Sequence, residues 1–227
     1  MRETGNAHPR PYHHGDLSRA LVEAGRRILE AEGPAALSLR AVAREAGVSP
    51  AAPYHHFKHK TELLEAVAHL GWRALTEAIC QVRRDARDPG EALTNIGVAY
   101  VKFARENPAL YRLMYHTTRD RKSMPKHAAE EPSGYEQVQQ ALIEAGADPA
   151  DEHDLALATI ACWCTAHGLA ELSTFKEFQE LKEAVGGEDA FLTGVLRHVG
   201  VFTRRPRPAR NGAPDRPETG AETATRH

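Results

Sequence analysis

Cysteine is scarce in this chain of 227 residues. Its three cysteines, Cys80, Cys162 and Cys164, contain no C-x-x-C pair and leave one over from any pairing. That argues against a disulfide framework and a zinc finger, and a reduced, cytoplasmic setting is expected. An excess of charge is also missing, since 29 Lys and Arg stand against 31 Asp and Glu, so the whole molecule is not a polycation. Long hydrophobic runs are lacking as well. No stretch of about 18 apolar residues is expected to span a membrane, and the polar N-terminal residues lack the apolar segment of a signal peptide. The length that remains is enough to bury a sizeable core, as one large domain or a small one joined to a larger one.

Charge is unevenly placed. Residues 1–60 hold 9 Lys or Arg against 6 Asp or Glu, with 6 of the 13 histidines, whereas residues 61–227 hold 20 against 25. A mildly basic front and an acidic body suit a polyanionic partner at one end. Residues 1–14, with Gly5, Pro9 and Pro11 and almost nothing apolar, read as a flexible arm.

From Asp16 onward, Leu17, Leu21, Ala24, Ile28 and Leu29 lay one apolar stripe along a helix of about 16–32, which Gly33-Pro34 stops. Ser38 then has the chemistry of an N-cap, and Leu39, Val42, Ala43 and Ala46 follow at helical spacing. Gly47 stands where the chain must leave that second helix. Ser49 and Pro50 read as the cap and first position of a third, over about 50–56. Two short helices joined by a glycine turn make a helix-turn-helix. In the third helix Val48 and Phe57 are large enough to anchor it, leaving Ala51, Ala52, Tyr54 and His55 to point outward. Alanine methyls allow close approach to a major groove, and Tyr54 and His55 can bond phosphates or base edges. Pro53 is expected at the fourth helical position, where it removes one backbone hydrogen bond. Lys58 and Lys60 open the next helix, about 60–86, as a phosphate clamp.

The segments LVEAGRRILEAEGPAALSLRAVAREAGVS and YHHFKHKTELLEAV, in that order, resemble the DNA-binding domain of TetR/AcrR-family transcriptional regulators over residues 15 to about 72. The resemblance implies phosphate contacts from Ser38, Tyr54 and Lys60, a base contact from Arg40, and major-groove contacts from Pro50, Ala51, Ala52, His55 and His56. Two positions depart from the family pattern: His59 stands where many relatives have a small capping residue, and Pro53 where a leucine-like residue is more usual.

Behind residue 60 the pattern stays helical. Breaks fall at Asp88-Pro89-Gly90 and Asn107-Pro108, a short aromatic-rich helix follows Pro108, and 117–134 reads as a loop before a helix of about 135–146. Residues 152–173 are apolar all round, which requires burial on every side. With a second apolar helix at about 188–202, a two-fold homodimer built from the last two helices is expected, a monomeric core being the alternative. NPALYRLMY, with Trp163, His167 and Gly168, is similar to the C-terminal effector domain called WHG in the same family.

The fold expected is all-α: a helix-turn-helix domain over 15–60, a helical effector-binding and dimerisation domain over 61–202, about nine helices in all, and a disordered tail over 203–227. The function expected is a ligand-responsive repressor released from a near-palindromic double-stranded DNA operator by a small-molecule effector. Phe103, Leu110, Met114, Tyr115, Trp163 and His167 are candidates to line the effector cavity, each equally able to be plain core. An activator or architectural DNA binder without a ligand is the alternative. Enzyme chemistry finds little support: His55 and His59 have metal-chelating spacing but lack the glutamate of an H-E-x-x-H site, so neither cofactor nor metal is implied.

Overall fold

The computed structural model describes residues 14–119 and 133–199. Among these it contains nine α-helices, two short 3-10 turns and no strand. The arm expected at 1–14, apart from His14, which opens the first helix, most of the loop expected at 117–134 and the tail from 203 lie outside the described residues.

Helix α1 (His14–Glu32) buries Leu21, Ala24, Ile28 and Leu29, the stripe its spacing predicts. It ends at Gly33, whose φ of +82° is open to glycine and strained for other residues. Helix α2 (Leu39–Glu45) is capped by the Ser38 hydroxyl, which accepts from the Ala41 N–H at 3.1 Å. It buries Leu39, Val42 and Ala43, and Gly47, at φ +69°, lets the chain leave it.

The third element differs from the expected helix over 50–56. It is a single 3-10 turn, Ala52–His55, with no side-chain cap, so Ser49 does not act as an N-cap there. Its bonds run Tyr54 N–H to the Ala51 carbonyl and His56 N–H to the Pro53 carbonyl. Pro53 therefore sits in the first turn, where a missing N–H removes no bond, and it is buried, with its carbonyl accepting the Phe57 N–H at 2.8 Å. An α-helix begun at Pro50 would need an N–H from residue 53, which proline lacks, whereas the shorter turn does not use it.

Helix α3 (Lys60–Arg84) is 25 residues long, about 37 Å at the α-helical rise. Its first half closes the front of the molecule: a Cβ built on Gly25 of α1 would lie 3.0 Å from Val67, 3.7 Å from Leu63 and 3.8 Å from Val42 of α2. Its second half buries Trp72, Leu75 and Ile79 under α4 (Pro89–Glu106), α5 (Pro108–Arg119) and α6 (Gly134–Glu144). Asp88 caps α4 ahead of Pro89, and Ser133 with Glu136 forms a capping box on α6. Buried side chains from Leu21 to Leu196 form one continuous core, each large one contributing about 1.5–3 kcal/mol.

Helix α7 (Glu152–Leu172) packs on α4 and α6. By length and composition alone it is apolar enough to cross a membrane, a test that a core helix also passes. It nonetheless buries Leu155, Cys162, Ala166 and Leu169 within the bundle, while Leu157, Ile160 and Leu172 stay exposed. A 3-10 turn (Lys176–Phe178) and α8 (Gln179–Ala184), too short to announce themselves by periodicity, lead through Gly186-Gly187 to α9 (Glu188–His198). Lys102 and Arg105 of α4 pair with Asp189, at 2.7 Å, and with Glu188, which fixes the start of α9.

Candidate functional site

At the front end, Ser38, Arg40, Pro50, Ala51, Tyr54, His55 and Lys60 are exposed, and Ala52 and His56 are half-buried. None of these nine is in the core. Val42, Ala43, Pro53 and Phe57 are buried below them, and the short turn packs on α2. Arg27 of α1 bonds Glu45 at the end of α2 at 2.8 Å. The Ser38 oxygen is already an acceptor for the Ala41 N–H, so its own proton remains to donate. Lys60 Nζ donates to the Pro34 carbonyl at 3.0 Å, which draws it over the loop between α1 and α2. The Lys58 N–H donates to the Glu62 carboxylate at 2.7 Å, so this backbone donor is taken and cation chemistry falls to the lysine side chains. His59 is the N-cap residue of α3 and makes no side-chain cap bond.

A second cluster lies between α3, α4, α5 and α7. Trp163 Nε1 donates to the Tyr115 hydroxyl at 3.1 Å, and Tyr115 bonds the Tyr100 hydroxyl. Tyr100 lies 3.3 Å from the Tyr111 hydroxyl and 3.2 Å from His167 Nδ1, and Tyr111 lies 2.5 Å from the same Nδ1. An indole N–H can only donate, so the direction of the chain is fixed at that end. Each hydroxyl has one proton to pass on, and the chain closes with every proton used when His167 Nδ1 is the final acceptor. Burial favours the neutral phenol: it pushes the Tyr100 and Tyr111 hydroxyls well above the ordinary tyrosine value and Tyr115 up to about 12. Trp72 packs edge-on to Tyr115 with ring centroids 5.4 Å apart and lies 6.0 Å from Trp163. Its Nε1 is buried without a hydrogen-bond partner.

Beside this cluster is a cavity of about 20 Å³, walled by Tyr100 and Trp163 at one side and by Ile79, Leu93, Ile96 and Val138 elsewhere. That is room for about one water. Of the six residues singled out from the sequence, Trp163 lines the cavity, while Tyr115 and His167 belong to the hydrogen-bonded cluster. Phe103, Leu110 and Met114 are packed in the core and do not line it. Sequence reasoning missed Tyr100 and Tyr111 as members of the hydrogen-bonded cluster, and Trp72 packed against it. The spacing of Tyr111 and Tyr115, four apart on one helix face, was the available signal. No three His, Cys, Asp or Glu side chains gather as a metal site among the described residues.

Residues 21–67 match the family described as bacterial regulatory proteins, tetR family, and residues 93–199 match the tetracyclin repressor-like C-terminal domain. Among solved structures, a protein of unknown function from Rhodococcus sp. RHA1 is 28% identical, with 86% of this chain and 97% of that one covered and a TM-score of 0.60. A TetR transcriptional regulator from Streptomyces coelicolor is 20% identical over 84% and 99% of the two chains, TM-score 0.60. RolR, solved in complex with resorcinol, is 15% identical over 86% and 96%, TM-score 0.54. An all-α body with a short capped α2, a glycine turn and a long α3, matched at both ends by these descriptions, belongs to the TetR family of transcriptional regulators.

Proposed function

We propose that this regulator is a homodimeric repressor that a small-molecule effector releases from a near-palindromic operator. The observation that carries this reading is α3 itself. One unbroken helix packs at its first half against α1 and α2, under the exposed front surface, and at its second half against the helices around the tyrosine cluster. In this reading residues 15–60 are the DNA-reading unit and 61–202 the effector and dimerisation unit. Ser38, Tyr54 and Lys60 hold phosphates, Arg40 reads a base edge, and Pro50, Ala51, Ala52, His55 and His56 lie along the major groove. Two copies paired through α7 and α9, with Leu157, Ile160 and Leu172 of α7 and Val199 just past α9 exposed, present their turns to successive grooves, about 34–36 Å apart. The site of action is the cytoplasm, where the DNA is.

Effector coupling has a physical basis in the small size of the cavity. A molecule larger than water binds an expanded state only, so it has the differential affinity that a population shift requires. The fold admits a small guest in RolR, which was solved with resorcinol. The same small size is the one observation that favours a second reading, a regulator with no small-molecule effector.

Footprinting on the DNA that flanks its own gene tests the proposal and supplies the operator. Lys60→Ala is expected to weaken binding to all sequences and to lower the salt slope by about one, while Arg40→Ala relaxes preference at one position by about 1–3 kcal/mol. Operator binding unaffected by salt or by either change would sink it. Binding that no compound from a metabolite library ever loosens would favour the second reading.

A further inference from the structure

The groups around the cavity are uncharged and specific in what they can recognise. No Lys, Arg, His, Asp or Glu lines it, and its wall apart from Tyr100 and Trp163 is mainly aliphatic. An ionised guest would leave its charge unpaired in apolar surroundings, a cost that one or two hydrogen bonds do not repay. The neighbouring hydroxyls are able both to donate and to accept, and the chain from Trp163 through Tyr115, Tyr100 and Tyr111 ends on His167 Nδ1. A further donor waits beside them: Trp72 is 4% exposed, and its Nε1 has no partner. Two indoles and three phenol rings at centroid distances between 5.0 and 6.0 Å offer faces and edges to another ring.

Resting on the effector-responsive reading above, we propose that the site takes a small, uncharged aromatic molecule that carries a hydroxyl or carbonyl oxygen. Its ring packs against Trp163 and Tyr100 and the Ile79 and Ile96 side chains, and its oxygen joins the tyrosine–histidine network and accepts the orphan Trp72 N–H. With room for about one water in the cavity, the ring enters only as the walls from α3, α4, α6 and α7 move apart, so recognition of the oxygen and widening of the cavity are one event.

Trp72 and Trp163 are the only two tryptophans in the chain, so indole fluorescence of the full-length protein reports on this cluster alone. Three probes of the same shape separate the contributions: 4-ethylphenol, ethylbenzene, which lacks the oxygen, and 4-ethylbenzoate, which is charged. The expected result is saturable change with 4-ethylphenol and about tenfold or weaker binding of the other two, the ratio that one lost buried hydrogen bond gives. Tyr111→Phe and Trp72→Phe, which keep an aromatic ring, should each weaken 4-ethylphenol binding without changing that of ethylbenzene. Equal affinity for ethylbenzene, tighter binding of the carboxylate, or no response to any probe by protein whose circular dichroism is native overturns the proposal. Operator release, followed with the same probes, is scored separately. Binding of 4-ethylphenol without release upholds the ligand class and sinks effector control. Release by a charged compound that leaves both indoles undisturbed upholds effector control and sinks the ligand class.

Discussion

Gly71 has no side chain because α5 occupies the space. A Cβ there would lie 2.6 Å from Met114 Sδ and 3.0 Å from Leu110 Cγ, and both neighbours are fully buried. Gly71→Ala forces Met114 out of place and should cost about 1–3 kcal/mol, seen as a lower urea midpoint with an unchanged slope. The tyrosines give a second prediction, in pH. Tyr115 titrates near 10.0 when unfolded and is pushed up to about 12 by burial, with the hydroxyls of Tyr100 and Tyr111 raised further. Above pH 10 the unfolded chain therefore loses protons that the native state keeps. Stability is full below pH 10 and falls as pH rises towards 12. Thermal unfolding followed over that window should show the decline, and Tyr115→Phe should make it shallower.

Among elements, α5 ties the front of the molecule to the tyrosine cluster, packing on α1, α3 and α4. Its first-turn N–H groups need partners, and the Glu30 carboxylate at the end of α1 accepts the Leu110 N–H at 2.9 Å, an anion where the helix dipole favours one. The same helix holds Met114 against Gly71 and carries Tyr111 and Tyr115 into the cluster. Glu30→Ala should cost about 1 kcal/mol and speed hydrogen exchange at the Leu110 amide, while Glu30→Gln, which keeps an acceptor oxygen, should retain most of the protection. Unchanged exchange in Glu30→Ala would show that the bond is not what holds the turn. The 3-10 turn before α3 follows a different logic. It is held by the burial of Pro53 and Phe57, and its exposed face is then set by Ala51, Tyr54 and His55.

For the molecule as a whole, α7 is the unusual helix. It is apolar all round yet buries only part of itself, with Leu157 68% and Ile160 51% exposed. In a chain of this hydropathy such a stripe is expected to meet a second copy. Leu157→Glu combined with Ile160→Glu should convert a dimer to a monomer in sedimentation velocity and leave the helical circular dichroism intact. It should also weaken operator binding far more than half-site binding, because only a dimer spans two grooves. A protein that sediments as a monomer before any change would overturn that assembly.

Local hydrogen-bond chemistry was legible in the sequence alone, because its partners lie within a few residues. Ser38 caps α2, Gly47 takes the positive φ that ends the turn, the Asp88-Pro89 and Asn107-Pro108 breaks separate helices, and the stripe of α1 faces the core. The all-α class and the family resemblance followed from such signals. Tertiary structure decided what distance along the chain conceals. Tyr100, Tyr111 and His167 converge from three helices, with 11 to 67 residues between hydrogen-bonded partners, so no sequence window contains the network. It also decided that the element after Gly47 is one 3-10 turn, since whether Pro53 breaks a helix or buttresses a turn depends on the surface it packs against. Which half of α7 is core and which stays exposed was settled by its neighbours, because an all-round apolar sequence has no preferred side.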